Sequence, residues 1–353
     1  MRRRFKLLCL SLAAAVGLMS VALAVEQARS PAQATPSQAA PQAASAPPAA
    51  TRPPPVPLLW KVSDRDNSVY LLGSFHLLKA DDYPISGDID QAFAGADRIV
   101  FEVPPEQMLD PAMGQKFLAA AGYADGRTLS QVLPPAMREK FNRILAQRGA
   151  SIAQFDAYEP WFVNLSLMLG VSQQMGFRPD KGLDQVLMQQ AIAGNKATGG
   201  LESIDLQLGV LDSTPMDEQV KSLKEFLDKP TEMPGMLSDL HNAWRDGDLA
   251  KLDTLTREEM REKTPETYRI VNVERNDAWV PQIQQMLDGQ KKGDTMVVVG
   301  ALHLLGEDGL VEKLRAKGYT VERVCSVCAP VADAPQGAPG NTSANSSVNS
   351  STK

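Results

Sequence analysis

The chain has 353 residues, 43% of them apolar, enough for one large domain or two ordinary ones with a real core, so a short peptide, a collagen-like fibre and a fully disordered chain are excluded. Its formal charge is −6; the first 24 residues hold four basic residues and no acid, and without them the charge is −10. A surface that acidic repels phosphate backbones, no basic stripe interrupts it, and nucleic-acid binding is set aside.

Arg2, Arg3, Arg4 and Lys6 open the chain, residues 7–23 are apolar, and Ala22-Leu23-Ala24 gives a small-x-small cleavage site. This is the pattern of a signal peptide over 1–24. The apolar run is short for a spanning helix and Ala, Pro, Gln and Ser follow it, so removal is expected, leaving a periplasmic or secreted protein with no stable membrane insertion. Cys9 lies deep in the apolar run, which argues against a lipid-anchored form. Residues 25–57 are Ala/Pro-rich and residues 328–353 small and polar; they read as a disordered linker and tail around one domain over 58–327.

Within that domain, apolar runs at 58–62 and 69–75 around a polar cluster predict an opening β-hairpin. A short helix is expected over 88–94 and a strand over 98–103, ended by Pro104-Pro105. Helical segments follow near 110–121, 134–148, 158–176 and 182–194, then a short strand over 196–201 and more helical pieces from 204 to about 290. Their Met and Leu stripe (Leu165, Met168, Leu169, Met175, Met188) reads as core. A strand over 295–299, a helix near 307–317 and a strand over 319–324 close the chain. The pattern predicts an α/β domain, with a central mixed, partly parallel β-sheet drawing strands from both chain ends and a large helical insertion over about 110–290. Cys325 and Cys328 follow the last strand; a local disulfide ranks above a redox pair, since no helix pattern follows, and above a metal half-site.

The chemistry gathers where strands stop. Val69-Tyr70-Leu71-Leu72 runs into Gly73-Ser74-Phe75-His76, and Met296-Val297-Val298-Val299 into Gly300-Ala301-Leu302-His303. Each joins a strand pattern covered on both faces to a glycine that permits close backbone approach and to a histidine past the carboxyl end, the edge where open α/β sheets bind ligands. Two further strands deliver Glu102 and Glu202 to that edge. Two imidazoles and two carboxylates suit a divalent cation such as Mn, Co, Fe or Zn, and without a cation two carboxylates in one cleft would force one to protonate. Plainer readings stand beside this one. Glu102 could pair with Arg98 on the same strand face or stay solvated by its prolines; Glu202 could lead into Ser203, a good helix N-cap; His241, in an amphipathic helix, reads as a surface or internally satisfied histidine. No H-E-x-x-H, G-x-S-x-G, Walker loop or G-x-G-x-x-G occurs, and Ser74, two residues before His76, has no special spacing for a serine triad.

Taken in order, Gly73-Ser74-Phe75-His76, Ile99-Val100-Phe101-Glu102-Val103, Glu159-Pro160-Trp161, Gly182-Leu183-Asp184, Gly200-Leu201-Glu202-Ser203 with Gln207, Glu274-Arg275-Asn276 before Trp279, and Val299-Gly300-Ala301-Leu302-His303-Leu304 resemble the TraB/GumN family. That family is similar to the animal Tiki proteins and, more remotely, to erythromycin esterase and ChaN-like proteins. The resemblance covers most of the folded part and implies a metal-dependent, peptidase-like hydrolase, because the Tiki branch is described as a metalloprotease using Mn or Co with paired G-x-x-H motifs. Carried over, His76 and His303 would be ligands of a divalent ion (Mn, Co or Zn) or groups that support its ligands, and Glu102 a ligand or the general base, the ion activating water against a peptide or ester carbonyl. Glu202 joins the catalytic set, and Arg275 would clamp an oxyanion or a substrate carboxylate. Asp184 would position a ligand histidine or simply favour a helix N-terminus, while Gly73, Gly300 and Asn276 shape the site. Gly73-Ser74 replaces the Gly-Thr of many members and keeps the hydroxyl. The competing class is a non-catalytic periplasmic ligand- or metal-binding accessory protein linked to envelope polysaccharide or surface processes.

Overall fold

The structure is a computed structural model describing residues 52–289 and 293–328. The expected signal peptide, most of the linker and nearly all of the tail lie outside the described residues. The strands are β1 (Leu59–Ser63), β2 (Ser68–Ser74), β3 (Arg98–Phe101), β4 (Ala197–Gly200), β5 (Thr295–Gly300) and β6 (Thr320–Arg323). They form one sheet in the order β4-β3-β5-β2-β1-β6. β1 and β2 are the predicted hairpin, with Leu59 opposite Leu72 and Ser63 opposite Ser68. Asp64 closes its turn by accepting the backbone N–H groups of Asp66 and Asn67, each at 3.0 Å. β2, β5, β3 and β4 are mutually parallel, whereas β1 runs antiparallel to both β2 and β6. The expected mixed sheet, with strands from both chain ends, is what the chain forms. Its consequence is that four strands end along one edge.

Eight helices bear on the site: α1 (Gly87–Gly95), α2 (Pro160–Gln174), α3 (Leu183–Ala193), α4 (Ile204–Asp212), α5 (Met216–Asp228), α6 (Met233–Arg245), α7 (Arg275–Asp288) and α8 (Leu310–Ala316). Local chemistry starts them. Ser86 caps α1, Ser203 caps α4, and Pro160 stands in the first turn of α2, where its missing N–H is no loss. Leu165, Met168, Leu169 and Met188 are buried, as the stripe predicted, and Met175 packs against the core partly buried. Two stretches, Thr254–Glu258 and Arg269–Glu274, are π-helix, which apolar periodicity does not reveal; the second runs directly into α7. Cys325 and Cys328 are disulfide-bonded, and Ser326 between them donates its N–H and hydroxyl to Asp88 in α1.

Residues 52–57, predicted as linker, lie on the domain. The Val56 N–H donates to Arg245 O (2.7 Å), Arg245 Nη2 to Pro53 O (2.6 Å) and Arg323 Nη2 to Pro57 O (3.1 Å). Arg245 also donates to Asp82, which His241 Nε2 approaches at 2.9 and 3.0 Å and to which the Lys79 N–H donates at 2.7 Å. His241 is therefore a satisfied, buried histidine and not a surface one: its face of α6 turns inward onto Asp82. Burial alone would push the Asp82 carboxyl up; His241, the Lys79 N–H and Arg245 together bring it down to about 2.

A carboxyl held below its ordinary 3.8 stabilises the fold fully above that value and loses its contribution as pH falls through about 2. Asp82→Asn leaves Arg245 buried without its counter-charge and should cost about 3–5 kcal/mol at neutral pH. In urea unfolding the gap from wild type should then narrow as pH is lowered from about 4 towards 2; an unchanged gap would contradict the assignment.

Candidate active site at the carboxyl edge of the sheet

Backbone proximity builds the edge. Ser74 of β2 and Gly300 of β5 are paired neighbours, so the two G-x-x-H segments leave the sheet side by side. At Gly73 a Cβ would sit 3.2–3.3 Å from Leu58, Ala301 and Leu304, close enough that these neighbours would have to give by a few tenths of an ångström. Gly200 ends β4 against Pro104, where a Cβ would stand 2.3 Å from Cδ. With that approach open, the Leu201 N–H donates to Phe101 O and Glu102 O (3.0 Å each) and the Glu202 N–H to Glu102 O (2.9 Å). Glu102 and Glu202 are thus stapled together by their own backbone.

Arg275, the first residue of α7, lies between these carboxylates. Its Nη2 donates to Glu102 Oε2 and Glu202 Oε1 (2.7 Å each), Nε to Glu202 Oε2 (3.2 Å), and Nη1 to Val271 O and His303 Nε2 (3.1 Å each). A guanidinium has five N–H donors, and these contacts engage all of them. Gln207 Nε2 reaches both carboxylates at 3.2 Å, and the Gly300 N–H donates to Glu102 Oε1 at 2.7 Å. Asn276 Nδ2 donates to Asp308 O (2.7 Å) and His303 O (3.3 Å), which turns its Oδ1 towards His303 Nδ1 at 2.8 Å. The His303 proton therefore sits on Nδ1 and the lone pair on Nε2 faces Arg275. The Trp279 ring packs against both, 4.5 Å from the His303 ring and 4.6 Å from the guanidinium.

The charges follow from this packing. Burial pushes Glu102 up, but Arg275 and the Gly300 N–H bring it down to about 2. Glu202, sharing the same guanidinium, is held above the usual carboxylate value by its burial. Burial, reinforced by Arg275, lowers His303 to about 3, so its ring is neutral.

His76 differs. Asp184, in the first turn of α3, places Oδ1 3.0 Å from His76 Nδ1, at ion-pair distance but not aligned for a linear hydrogen bond. The Leu183 N–H donates to Phe75 O (3.0 Å), and Gly182 lies so close that a Cβ would meet His76 O at 2.3 Å. On the other side Phe75 packs against Trp244 and His241 at 5.7 and 5.9 Å between centroids, and Trp244 Nε1 donates to Gly73 O (3.1 Å). His76 is clamped from both sides, yet its Nε2 is buried with no hydrogen-bond partner; so is Ser74 Oγ. Burial works against its charged form, and the Asp184 carboxylate more than offsets this, so the imidazole pKa is raised.

Of the predicted residues, the fold joins Glu102, Glu202, Arg275, His303 and Asn276 in one bonded network and sets His76 with Asp184 on the same edge. Glu102 does not pair with Arg98, whose guanidinium instead lies against Gly199, nor is it solvated. Ser203 does cap α4, and Glu202 still points into the network. Asp184 is both the acid at a helix start and the partner of His76. Sequence reasoning placed Gln207 in the ordered series without giving it a bridging role, and missed Trp244, which holds Gly73 O and packs on Phe75. Neither of the roles implied for an ion and for an oxyanion clamp fits the side chains as arranged. The one lone pair of His303 is engaged by Arg275, Arg275 has no N–H to spare, and among the described residues no three His, Cys, Asp or Glu side chains are grouped as an ion needs.

Fold and site together define a mixed α/β domain whose parallel strand ends close on a buried Glu-Arg-Glu-His network beside a carboxylate-backed histidine. The TraB/PrgY/gumN family model matches residues 58–323, and the chain belongs to that family. It is 23% identical over 251 residues to the uncharacterized protein YbaP of Escherichia coli, covering 70% of this chain and 87% of YbaP, and equally similar to YbaP of Shigella flexneri. An uncharacterized protein of Treponema pallidum is 21% identical over 271 residues, 74% of this chain and 80% of the relative.

Gly182→Ala tests the clamp. Its φ of −51° suits any residue, so the cost is collision with His76 O alone. Unfolding should show a loss of about 1–3 kcal/mol, with the His76 ring resonances displaced; an unperturbed ring would mean that the close approach is not what seats it.

Proposed function

We propose that this chain is an exported hydrolase of peptide or ester bonds in which His76, oriented by Asp184, takes a proton from the attacking water. The observation that carries this reading is the bare Nε2 of His76. An unpaired buried acceptor costs about 1–3 kcal/mol, and such a group in a native site needs an outside partner to explain it. No side-chain polar atom of Glu102, Glu202, Arg275, His303 or Asn276 is left buried without a partner, so the partner of His76 comes from solvent or substrate.

A carboxylate beside Nδ1 leaves the Nε2 lone pair unspent and stabilises the imidazolium formed when the proton arrives. Water oxygen then bonds to the carbonyl carbon, and the proton held on Nε2 passes to the leaving nitrogen or oxygen as the old bond breaks. The Ser74 hydroxyl, on the same strand end and also unpaired, is the donor available to substrate oxygen. Export is supported by the leader pattern over 1–24 and by the Cys325–Cys328 disulfide, a bond that persists in oxidising compartments. Among the described residues no helix is long and apolar enough to cross a membrane.

The test is turnover of quenched peptide libraries and aryl esters by the protein recovered from the periplasm. His76→Ala should lower kcat/KM by about 10²–10⁴ with the fold retained, and Asp184→Asn should lower it less. Undiminished turnover in His76→Ala would refute the assignment; ligand binding without any turnover would point to the accessory role instead.

A further inference from the structure

We infer that Arg275 is the resident cation of this site and that His303 is its positioning residue, so the two G-x-x-H histidines, alike in sequence, do opposite work. His76 keeps its Nε2 lone pair unspent, and His303 spends its own on Arg275.

The geometry is a relay of fixed orientations. Tyr268 Oη donates to Asp308 Oδ2 (2.9 Å), and the Asp308 carbonyl accepts from Asn276 Nδ2 (2.7 Å). Asn276 Oδ1 then accepts the Nδ1 proton of His303 (2.8 Å), leaving Nε2 as the acceptor for Arg275 Nη1 (3.1 Å). A neutral imidazole has one lone pair, so a His303 that holds Arg275 cannot at the same moment ligate an ion. Glu102 and Glu202 lead to the same end. Two buried carboxylates in contact need a counter-charge, and the guanidinium supplies it while matching each of its N–H groups to an acceptor, which the compact ammonium of a lysine cannot do. A divalent ion bound by Glu102 and His303 would compete for the seat Arg275 occupies; ion and guanidinium exclude each other. Vacating that seat should convert the network into an ion site that the wild-type protein lacks.

The test needs no substrate, so it can fail while the hydrolysis reading stands, and the reverse. The chain has three histidines, and ring-15N labelling gives three resolvable spin systems. At neutral pH the His303 ring should be protonated on Nδ1 only, and in Arg275→Gln its Nε2 resonance should move while Nδ1 keeps its proton. Titrating Zn²⁺ or Mn²⁺ should leave the His303 signals of the wild type in place and shift or broaden them in Arg275→Gln. Protein purified without chelator should carry no stoichiometric Mn, Co, Fe or Zn. His303→Gln, which keeps an acceptor for Arg275, should retain more thermal stability than His303→Leu. A proton on His303 Nε2, or a stoichiometric ion in the wild type with metal-shifted His303 signals, would overturn the inference. Both outcomes are read on the wild type, so they decide the matter even where Arg275→Gln does not fold.

Discussion

One guanidinium sets the terms for the rest of this molecule. Arg275 sends its N–H groups to Glu102 at the end of β3, to Glu202 just past β4, to His303 just past β5 and to its own helix at Val271. Polar groups buried together are stabilising only when every member is matched, because in a low-dielectric interior each missing partner is expensive. Here the matching runs across segments that lie 73 and 173 residues from Arg275 in sequence. The parallel arrangement of β2, β5, β3 and β4 makes it possible by bringing four strand ends to one edge.

That closure divides the edge into two halves with different chemical standing. The Glu-Arg-Glu-His half is complete and inward-facing; it fixes charge and geometry. The Ser74, His76 and Asp184 half is held equally firmly by its backbone, with Gly182 against His76 and Trp244 on Gly73 O, but retains unpaired atoms. A site that must accept a proton from outside needs this combination of rigid support and an unspent lone pair. The buried Asp82 cluster joins the N-terminal strap to the same support, since Arg245 binds both Pro53 and Asp82 while His241 packs on Phe75.

How much of this was legible follows from where its signals lie. Strand ends were readable because a covered parallel strand writes a continuous apolar run and the glycine after it marks a close approach; that placed His76, His303, Glu102 and Glu202 on one rim. The individual roles were not readable. Arg275 begins a helix after a π-helical stretch with no periodic signature, and nothing nearby in sequence announces five acceptors. The pair of G-x-x-H motifs suggested two equivalent histidines, whereas what separates them is the partner each ring finds: Asp184 and an unpaired Nε2 for one, Asn276 and Arg275 for the other. His241 shows the same limit. Its helix reads as amphipathic, and the residue that draws it inside, Asp82, is 159 positions away.

The division of the edge predicts unequal chemistry for three imidazoles. Their side-chain exposures are 14% for His76, 3% for His241 and 2% for His303, and among these rings the one buried nitrogen left without a hydrogen-bond partner is His76 Nε2. Brief treatment of the folded protein with diethyl pyrocarbonate, followed by peptide mass mapping, should place the first carbethoxyl group on His76 and leave the other two rings unmodified until the protein unfolds. Modification of His303 as fast as His76 in the folded state would show that Arg275 does not hold it, and the account would fail at its centre.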